Sequence, residues 1–490
     1  MAAMSLVQIS GIPFPVPRVM IAGVCTVLHL CFGTVYAWSF FQVLLVRQLG
    51  WTFTDTAMAF GFAIFSLGVS AAWAGVQLPK LGPRRLAFLG SVMFSAGYLV
   101  AAFALSQNSL ALFYLGYSVI GGIGLGMGYV TPVATVANWF PEHKGLATGI
   151  VMMGFGVGAL LLSKLLAPVL LVYTDEDLTN VFMWLGVTFG VITIPASLLV
   201  VNPPREETTA LEQAAPSLFT EEDDPHYVKN CVKSREFLVM WVIFFVNIVA
   251  GISVISFQSP LLQDIWKLTD PTIEPKVLAS YGATLIAVSS VCNGVGRLLW
   301  GLLSDYIGRV RVFRILLATQ MVVFGMLMTE RDPWIFSILL CYVLLCFGGG
   351  FATIPSFISD VFGTKKMSSI YGFILTAWAI AGVLGPLYAG YLKDSYPNKV
   401  VIYCFLIGVL VLSIGFVFSM LLNNDRIRIY WSLTSPCQER RPRSRGFSDR
   451  FSADLVGVRH RTRANVARDI LDVTRTTLAF SRATLARASR

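Results

Sequence analysis

The chain has 490 residues, 56% hydrophobic and 13% charged, with a formal charge of +10 and a mean hydropathy of +0.70. That excess of apolar side chains excludes soluble globular domains and makes lipid the expected solvent. The positive charge does not mark a nucleic-acid binder, because residues 423–490 alone hold fifteen Arg against six Asp or Glu, which is +9 of the +10.

A bilayer core takes ~20 apolar residues per helix. Twelve runs of that order follow one another at 19–44, 57–78, 86–105, 109–138, 146–172, 180–201, 237–262, 279–303, 312–328, 334–358, 369–391 and 399–422. The expected fold is an all-α membrane protein with twelve transmembrane helices in two six-helix pseudo-symmetric bundles. The first run is longer than a signal-peptide core and lacks a small-residue cleavage pattern at Phe40-Phe41-Gln42, so the N-terminus is expected to be retained.

Between the sixth and seventh runs lies a polar stretch from Asn202 to Arg235, with Pro203, Pro204, Pro216, Pro225 and the acidic cluster Glu221, Glu222, Asp223 and Asp224. The expected organisation is an N-terminal bundle (1–201), a cytoplasmic linker (202–235), a C-terminal bundle (236–422) and an Arg-rich cytoplasmic tail (423–490). The tail reads as a largely disordered, solvated segment; docking on anionic lipid, with Leu471, Leu478 and Leu485 along one helix face, is the alternative. With both termini cytoplasmic, the inner loops carry Lys80, Arg84, Arg85, Lys144, Arg309, Arg311, Arg314, Lys365 and Lys366, and the outer loops hold fewer basic residues mixed with acids.

The halves resemble each other at a shift of 222 residues. Gly126, Gly128, Tyr129 and Thr131 fall on Gly348, Gly350, Phe351 and Thr353, while Phe140 falls on Phe362. A duplicated six-helix unit with a site at the interface of the repeats is the pattern of secondary transporters. The eight Cys at 25, 31, 231, 292, 341, 346, 404 and 437 show no CxxC spacing and read as free thiols. The chain has no GxxxxGK[ST], HExxH or GxSxG motif and no His cluster. Neither an enzyme nor a cofactor or metal is expected.

The eighth run carries Arg297, with Asn293 and Gly301 four residues to either side. An arginine at bilayer depth costs about 2.5–3.5 kcal/mol on insertion scales, so it normally faces a bundle interior or water-filled path where something pairs with it. Its planar guanidinium offers a two-pronged fork to a carboxylate; a structural arginine held by another helix's carboxylate is the alternative. Aromatic candidates for the walls of such a pocket are Tyr36, Trp38, Tyr129, Phe351, Tyr371 and Trp378, each of which also suits simple packing. Lys164 reads as a snorkelling side chain or as a second cationic anchor. His29 reads as a hydrogen-bonded core histidine in preference to a proton relay. Gly301, Asp305, Gly308 and Arg309, at the end of the same run, form a candidate gating latch, and the first-half loop around Gly75, Pro79, Gly82 and Arg84 lacks the acid.

The loop Gly301 to Arg309 resembles that of the major facilitator superfamily. The segments Gly33 to Ser39 and Gly124 to Gly149 are similar to the oxalate/formate antiporter branch, close to the monocarboxylate transporters. The resemblance covers about 19–422 and implies carriage of a small carboxylate by alternating access, with Arg297 binding it and a co- or counter-transported ion as a further partner. Two positions depart from the pattern. Trp378 stands where oxalate carriers are expected to place a lysine, and Asn293 where proton-coupled monocarboxylate transporters place an acid. The competing readings are a carrier of an amino acid, sugar or drug, and a non-transporting sensor or scaffold with a carrier fold. A multi-pass protein of the plasma membrane is expected in preference to an organelle membrane.

Overall fold

Each helix boundary has a local cause. Gly50 closes the first helix in the left-handed region at φ 72°. Thr52 and Asp55 form a reciprocal capping box at the start of the second, satisfying backbone N–H groups that have no partner inside the helix. Side chains of Asp177, Ser234 and Asp332 cap later helices in the same way, and Pro83, Pro275 and Pro333 occupy first turns, where a missing N–H costs nothing.

The structure is a computed structural model of the chain, and the residues described are 5–9, 12–16, 18–140, 144–203, 226–363 and 367–422. Most of the expected linker (204–225), the tail from 423, Lys365 and Lys366 lie outside them. Among the described residues, twelve helices are long and apolar enough to cross a membrane. They are α1 (Arg18–Leu49), α2 (Phe53–Leu81), α3 (Pro83–Ser106), α4 (Leu110–Trp139), α5 (Ala147–Tyr173), α6 (Leu178–Leu198), α7 (Arg235–Thr269), α8 (Pro275–Ile307), α9 (Arg309–Leu327), α10 (Pro333–Phe362), α11 (Ser369–Ser395) and α12 (Val400–Ser419). Each of the twelve expected runs falls on one of them. A short antiparallel hairpin pairs Ser5–Ile9 with Ile12–Val16 ahead of α1, and a helix at Tyr227–Lys233 precedes α7.

The first six spans meet the last six chiefly along two long seams, α2 against α11 and α5 against α8. Small residues make both seams close. A Cβ placed on Gly68 would lie 2.6 Å from the Ala379 Cβ, and one on Gly156 would lie 2.7 Å from the Gly294 Cα, so the helices touch nearly backbone to backbone. The α2–α11 seam runs from Gly390 beside Phe53 and Thr54 at one end to Gly372 beside Ala72 toward the other. Ser290 Oγ donates to the Gly156 carbonyl at 2.7 Å in the α5–α8 seam.

Three helices deviate from α geometry along their length, α5 with a π segment at Leu162–Leu166. α1 tightens to a 3-10 turn over Gly33–Ala37, and α4 widens to a π-helix over Tyr114–Gly121. Gly33 permits the first, because any Cβ there would sit 2.0 Å from the Phe155 carbonyl oxygen. This turn carries Tyr36, while α5 presents Phe155 opposite it.

Candidate functional site

Arg297 sits on the α8 face turned toward α5 and α10, and only 1% of it is exposed. Among the described residues no carboxylate pairs with it, and the Tyr36 hydroxyl is the side-chain group within hydrogen-bonding reach of its guanidinium. Its guanidinium carbon lies 5.0 Å from the centre of the Phe351 ring and 5.6 Å from that of Phe155. Two π faces offset about 2 kcal/mol each when desolvated, less than the several kcal/mol that taking an ion out of water costs. The group is therefore left wanting an anion.

Around it the spans assemble a box of aromatic rings. Trp378 of α11 packs edge-on to Phe351 at 4.8 Å and to Tyr129 at 5.2 Å. Tyr129 of α4 meets Phe155 at 5.1 Å, and Tyr36 of α1 meets Phe155 at 5.2 Å. The hydroxyls of Tyr36 and Tyr371 both lie within the field of Arg297. Among the described residues the Trp378 indole N–H and the Asn293 amide oxygen are buried without hydrogen-bond partners, and the buried hydroxyls of Tyr36, Tyr129 and Tyr371 reach only Arg297 or one another. Buried polar groups are almost always paired, so a convergent set of unpaired ones, walled by rings, has the character of a ligand site.

Seven of the nine sequence-predicted binding residues come together here: Arg297, Tyr36, Tyr129, Asn293, Phe351, Tyr371 and Trp378. Two do not. Trp38 leaves the tight turn pointing away, stacking on Phe60 at 6.3 Å and lying 4.8 Å from Tyr117 among the first six spans. Lys164 is exposed and donates to Thr284 Oγ1 at 2.7 Å. The α5 helix turns its ammonium to the rim, too far along the seam for a second anchor beside Arg297. Beside Tyr36 and Asn293, Gln258, Ser289 and Ser290 line a void with about 10 Å³ of water-accessible space, room for roughly one water.

Phe155 and His29 of the cluster, and Asn247 beside Gly350, were not among the expected ligands. Phe155 touches Arg297, Tyr36 and Tyr129 at once; in the sequence it is one phenylalanine of thirty-five, distinguished only by standing between Gly154 and Gly156. Asn247 of α7 is fully buried with neither end of its amide partnered, and a lone Asn inside an apolar run was a visible signal. His29 is also fully buried, its ring 5.3 Å from Tyr129 and 5.9 Å from Phe155. Backbone groups of Cys25 and Tyr129 lie within hydrogen-bonding reach of its ring, in line with the expectation of a hydrogen-bonded core histidine.

The gating residues fall at the Gly308 end of α8. Gly308, at φ 92°, ends that helix in a conformation L side chains rarely adopt. Arg309 then pairs with Asp305 at 2.5 Å and with Asp360 of α10 at 3.2 Å, and also donates to Ser304. A Cβ placed on Gly301 would meet the Ala352 side chain at 3.5 Å, an ordinary contact distance. These bonds tie α8, α9 and α10 together, all within the last six spans, so the charged part of the latch does not join the two halves. At the opposite end the cross-half contacts are explicit. Asp394 of α11 accepts from the backbone N–H of Phe53 at 3.1 Å and of Thr54 at 2.8 Å, and from the Thr54 hydroxyl. Its neighbour Lys393 pairs with Asp264 of α7 and holds its ammonium 5.4 Å from the centre of the Phe53 ring.

Residues 23–386 match the family model described as Major Facilitator Superfamily. The chain is 26% identical over 367 residues to an oxalate:formate antiporter of Oxalobacter formigenes, covering 74% of this chain and 82% of that one. It is 28% identical over 458 residues to apicoplast pyruvate carrier 1 of Toxoplasma gondii, with 74% and 81% covered, and 25% identical over 413 residues to human monocarboxylate transporter 11, with 76% and 78% covered. A family match spanning most of the chain, on twelve apolar helices long enough to cross a membrane, leads to one assignment: this is a multi-pass membrane protein that belongs to the Major Facilitator Superfamily.

Proposed function

We propose that the protein carries small organic anions, of the monocarboxylate or oxalate/formate kind, across its membrane by alternating access, and that Arg297 holds the carboxylate. The observation that carries this reading is the unpaired guanidinium, 1% exposed and resting on Phe155 and Phe351. A carboxylate in its fork forms two charge-assisted hydrogen bonds. The phenols of Tyr36, Tyr129 and Tyr371 and the Trp378 N–H are donors that can take its remaining lone pairs. The aromatic walls limit the cargo to a small, partly apolar body. The names of relatives, an oxalate:formate antiporter and a pyruvate carrier, point to the same substrate class.

In this reading residues 1–201 and 236–422 are the two moving halves, and the site lies between them. The α2–α11 and α5–α8 seams bury Arg297, which fits an occluded stage of the cycle. Opening one end parts one portion of each seam and wets the guanidinium. The Asp394 contacts belong to the outer closure, and the Asp305–Arg309–Asp360 cluster stiffens the inner rim of the second half. The test is counterflow uptake of labelled oxalate, formate, pyruvate and lactate into vesicles containing the protein or its Arg297→Gln variant. Accumulation of at least one of these by the native protein and none by the variant is expected; equal accumulation by both removes Arg297 from the role.

A further inference from the structure

Of the seven cysteines among the described residues, five are buried and two, Cys292 of α8 and Cys341 of α10, are half-buried. These two are neighbours. A Cβ on Gly296 would lie 2.1 Å from the Leu345 carbonyl oxygen, and four residues on, one on Gly349 would lie 2.4 Å from Trp300 Cδ1, so α8 and α10 run in step and in close contact. Four residues back, the same register sets Cys292 against Cys341, and their thiols lie within hydrogen-bonding reach of each other. We propose that this pair is a modification site at which a hydroperoxide, arriving through the lipid, converts the two thiols to a disulfide that ties α8 to α10 and slows cargo exchange.

The pair lies at the edge of the lipid-facing surface. Val291 and Val295 flank Cys292 on α8 and are 39% and 38% exposed, and Ile338, one turn before Cys341 on α10, is 68% exposed. In a bilayer such side chains meet acyl chains, where a lipid hydroperoxide dissolves. A disulfide forms without backbone movement when the two Cα atoms lie within about 7 Å, a separation that helices touching through glycine can supply. In the reaction one sulfur attacks the terminal peroxide oxygen and the O–O bond breaks; its proton, relayed through the neighbouring thiol, goes to the departing alkoxide and makes an alcohol. The other sulfur then attacks the resulting sulfenic acid, an S–S bond forms, and the S–O bond breaks with release of water. The thiols together lose two protons and two electrons, and the hydroperoxide is reduced to alcohol and water.

The bond would act on the cargo space. Asn293, next to Cys292, and Leu344, three residues beyond Cys341, line the void beside Tyr36, whose water-accessible space is about 10 Å³. That is room for roughly one water, so even a small carboxylate enters only if the walls give. On the side of the second half, α8 and α10 supply part of that wall, and a covalent tie one residue from Asn293 holds it in place. The inference rests on the carrier reading and on the void as cargo space, and it does not depend on which cargo Arg297 holds.

The experiment uses purified full-length protein in vesicles whose phospholipid carries a defined fraction of hydroperoxide, with hydrogen peroxide added to hydroperoxide-free vesicles as the aqueous arm. Peptide mapping without reductant is expected to show the Cys292 and Cys341 peptides joined, forming several-fold faster in the lipid arm, and separate again after dithiothreitol. Counterflow of labelled pyruvate should fall several-fold on oxidation and recover with dithiothreitol, while Cys292→Ser and Cys341→Ser exchange at the native rate before and after treatment. Alanine replacements make the same comparison if the serine variants fold poorly. Oxidised protein in which these two peptides stay unjoined overturns the proposal, as does a joined pair that exchanges pyruvate at the native rate. Equal speed in the aqueous arm overturns the lipid route. Native protein that exchanges no pyruvate fails the monocarboxylate reading; the peptide map then decides the proposal by itself, a joined pair supporting it and an unjoined pair overturning it.

Discussion

The guanidinium carbon of Arg297 lies 5.0 Å from the centre of the Phe351 ring, so this buried charge is met by a π face where a carboxylate would balance it better. A structural arginine in this position needs a fixed acid, and none pairs with Arg297 among the described residues. The nearest intramembrane acids by sequence, Asp264, Asp305 and Asp360, are engaged with Lys393 or Arg309 at the helix ends.

Replacing Arg297 separates charge from geometry. Hydrogen bonds to a charged group contribute about 1.5–3 kcal/mol each, so Arg297→Gln should weaken carboxylate binding by roughly 100-fold or more at 1.4 kcal/mol per tenfold. Arg297→Lys should fall in between, because it keeps the charge and loses the fork. The ligand-induced rise in melting temperature with oxalate or pyruvate measures the order of the three proteins.

Widening one seam should block the cycle without emptying the site. A Cβ on Gly156 meets the Gly294 Cα at 2.7 Å, and overpacking of this kind costs about 1–3 kcal/mol. Gly156→Val should hold α5 and α8 apart, lower the thermal midpoint by several degrees, roughly the shift expected for that loss, and abolish exchange. Normal exchange in a well-folded Gly156→Val protein contradicts close α5–α8 packing as a transport intermediate.

Asp394→Ala removes an anion from the N-terminus of α2 together with three accepted hydrogen bonds. Charge at a helix N-terminus stabilises by about 0.3–1 kcal/mol at an exposed site, and here the interaction spans the two halves. A cysteine introduced at Ala57, which packs against Gly390 in the same closure, should react faster with an impermeant thiol reagent in the Asp394→Ala background. An unchanged rate indicates that Asp394 caps a helix and gates nothing.

Lys164→Gln should leave uptake within about twofold of the native rate, since the ammonium is exposed and, among the described residues, bonds to the Thr284 hydroxyl, and exposed polar contacts contribute little. Loss of transport in this variant, at equal expression and melting temperature, places Lys164 back at the anion.

Hydropathy made the twelve spans legible because lipid enforces a minimum apolar length, and local punctuation such as Gly50, Thr52 and Gly308 set their ends. Arg297 was legible because charge is rare at that depth. Its neighbours were less so. Tyr36 and Trp38 are two residues apart, yet the 3-10 turn at Gly33–Ala37 sends one to Arg297 and the other into the first six spans, a divergence that composition does not encode. Phe155 and His29 acquire meaning only through α1–α5 contact, which depends on Gly33, Gly154 and Gly158 fitting against backbone atoms of the facing helix. The cross-half bond of Asp394 to Thr54 spans 340 residues and has no local signature.

The most direct test of the central claim sets a carboxylate against its uncharged twin. Lactate and lactamide differ at one terminal group, so their competition against labelled substrate reads the guanidinium's demand for charge and nothing else. The native protein should be inhibited by lactate and indifferent to lactamide, with that discrimination lost in Arg297→Gln. Equal inhibition of the native protein by lactate and lactamide would contradict an anion bound at Arg297.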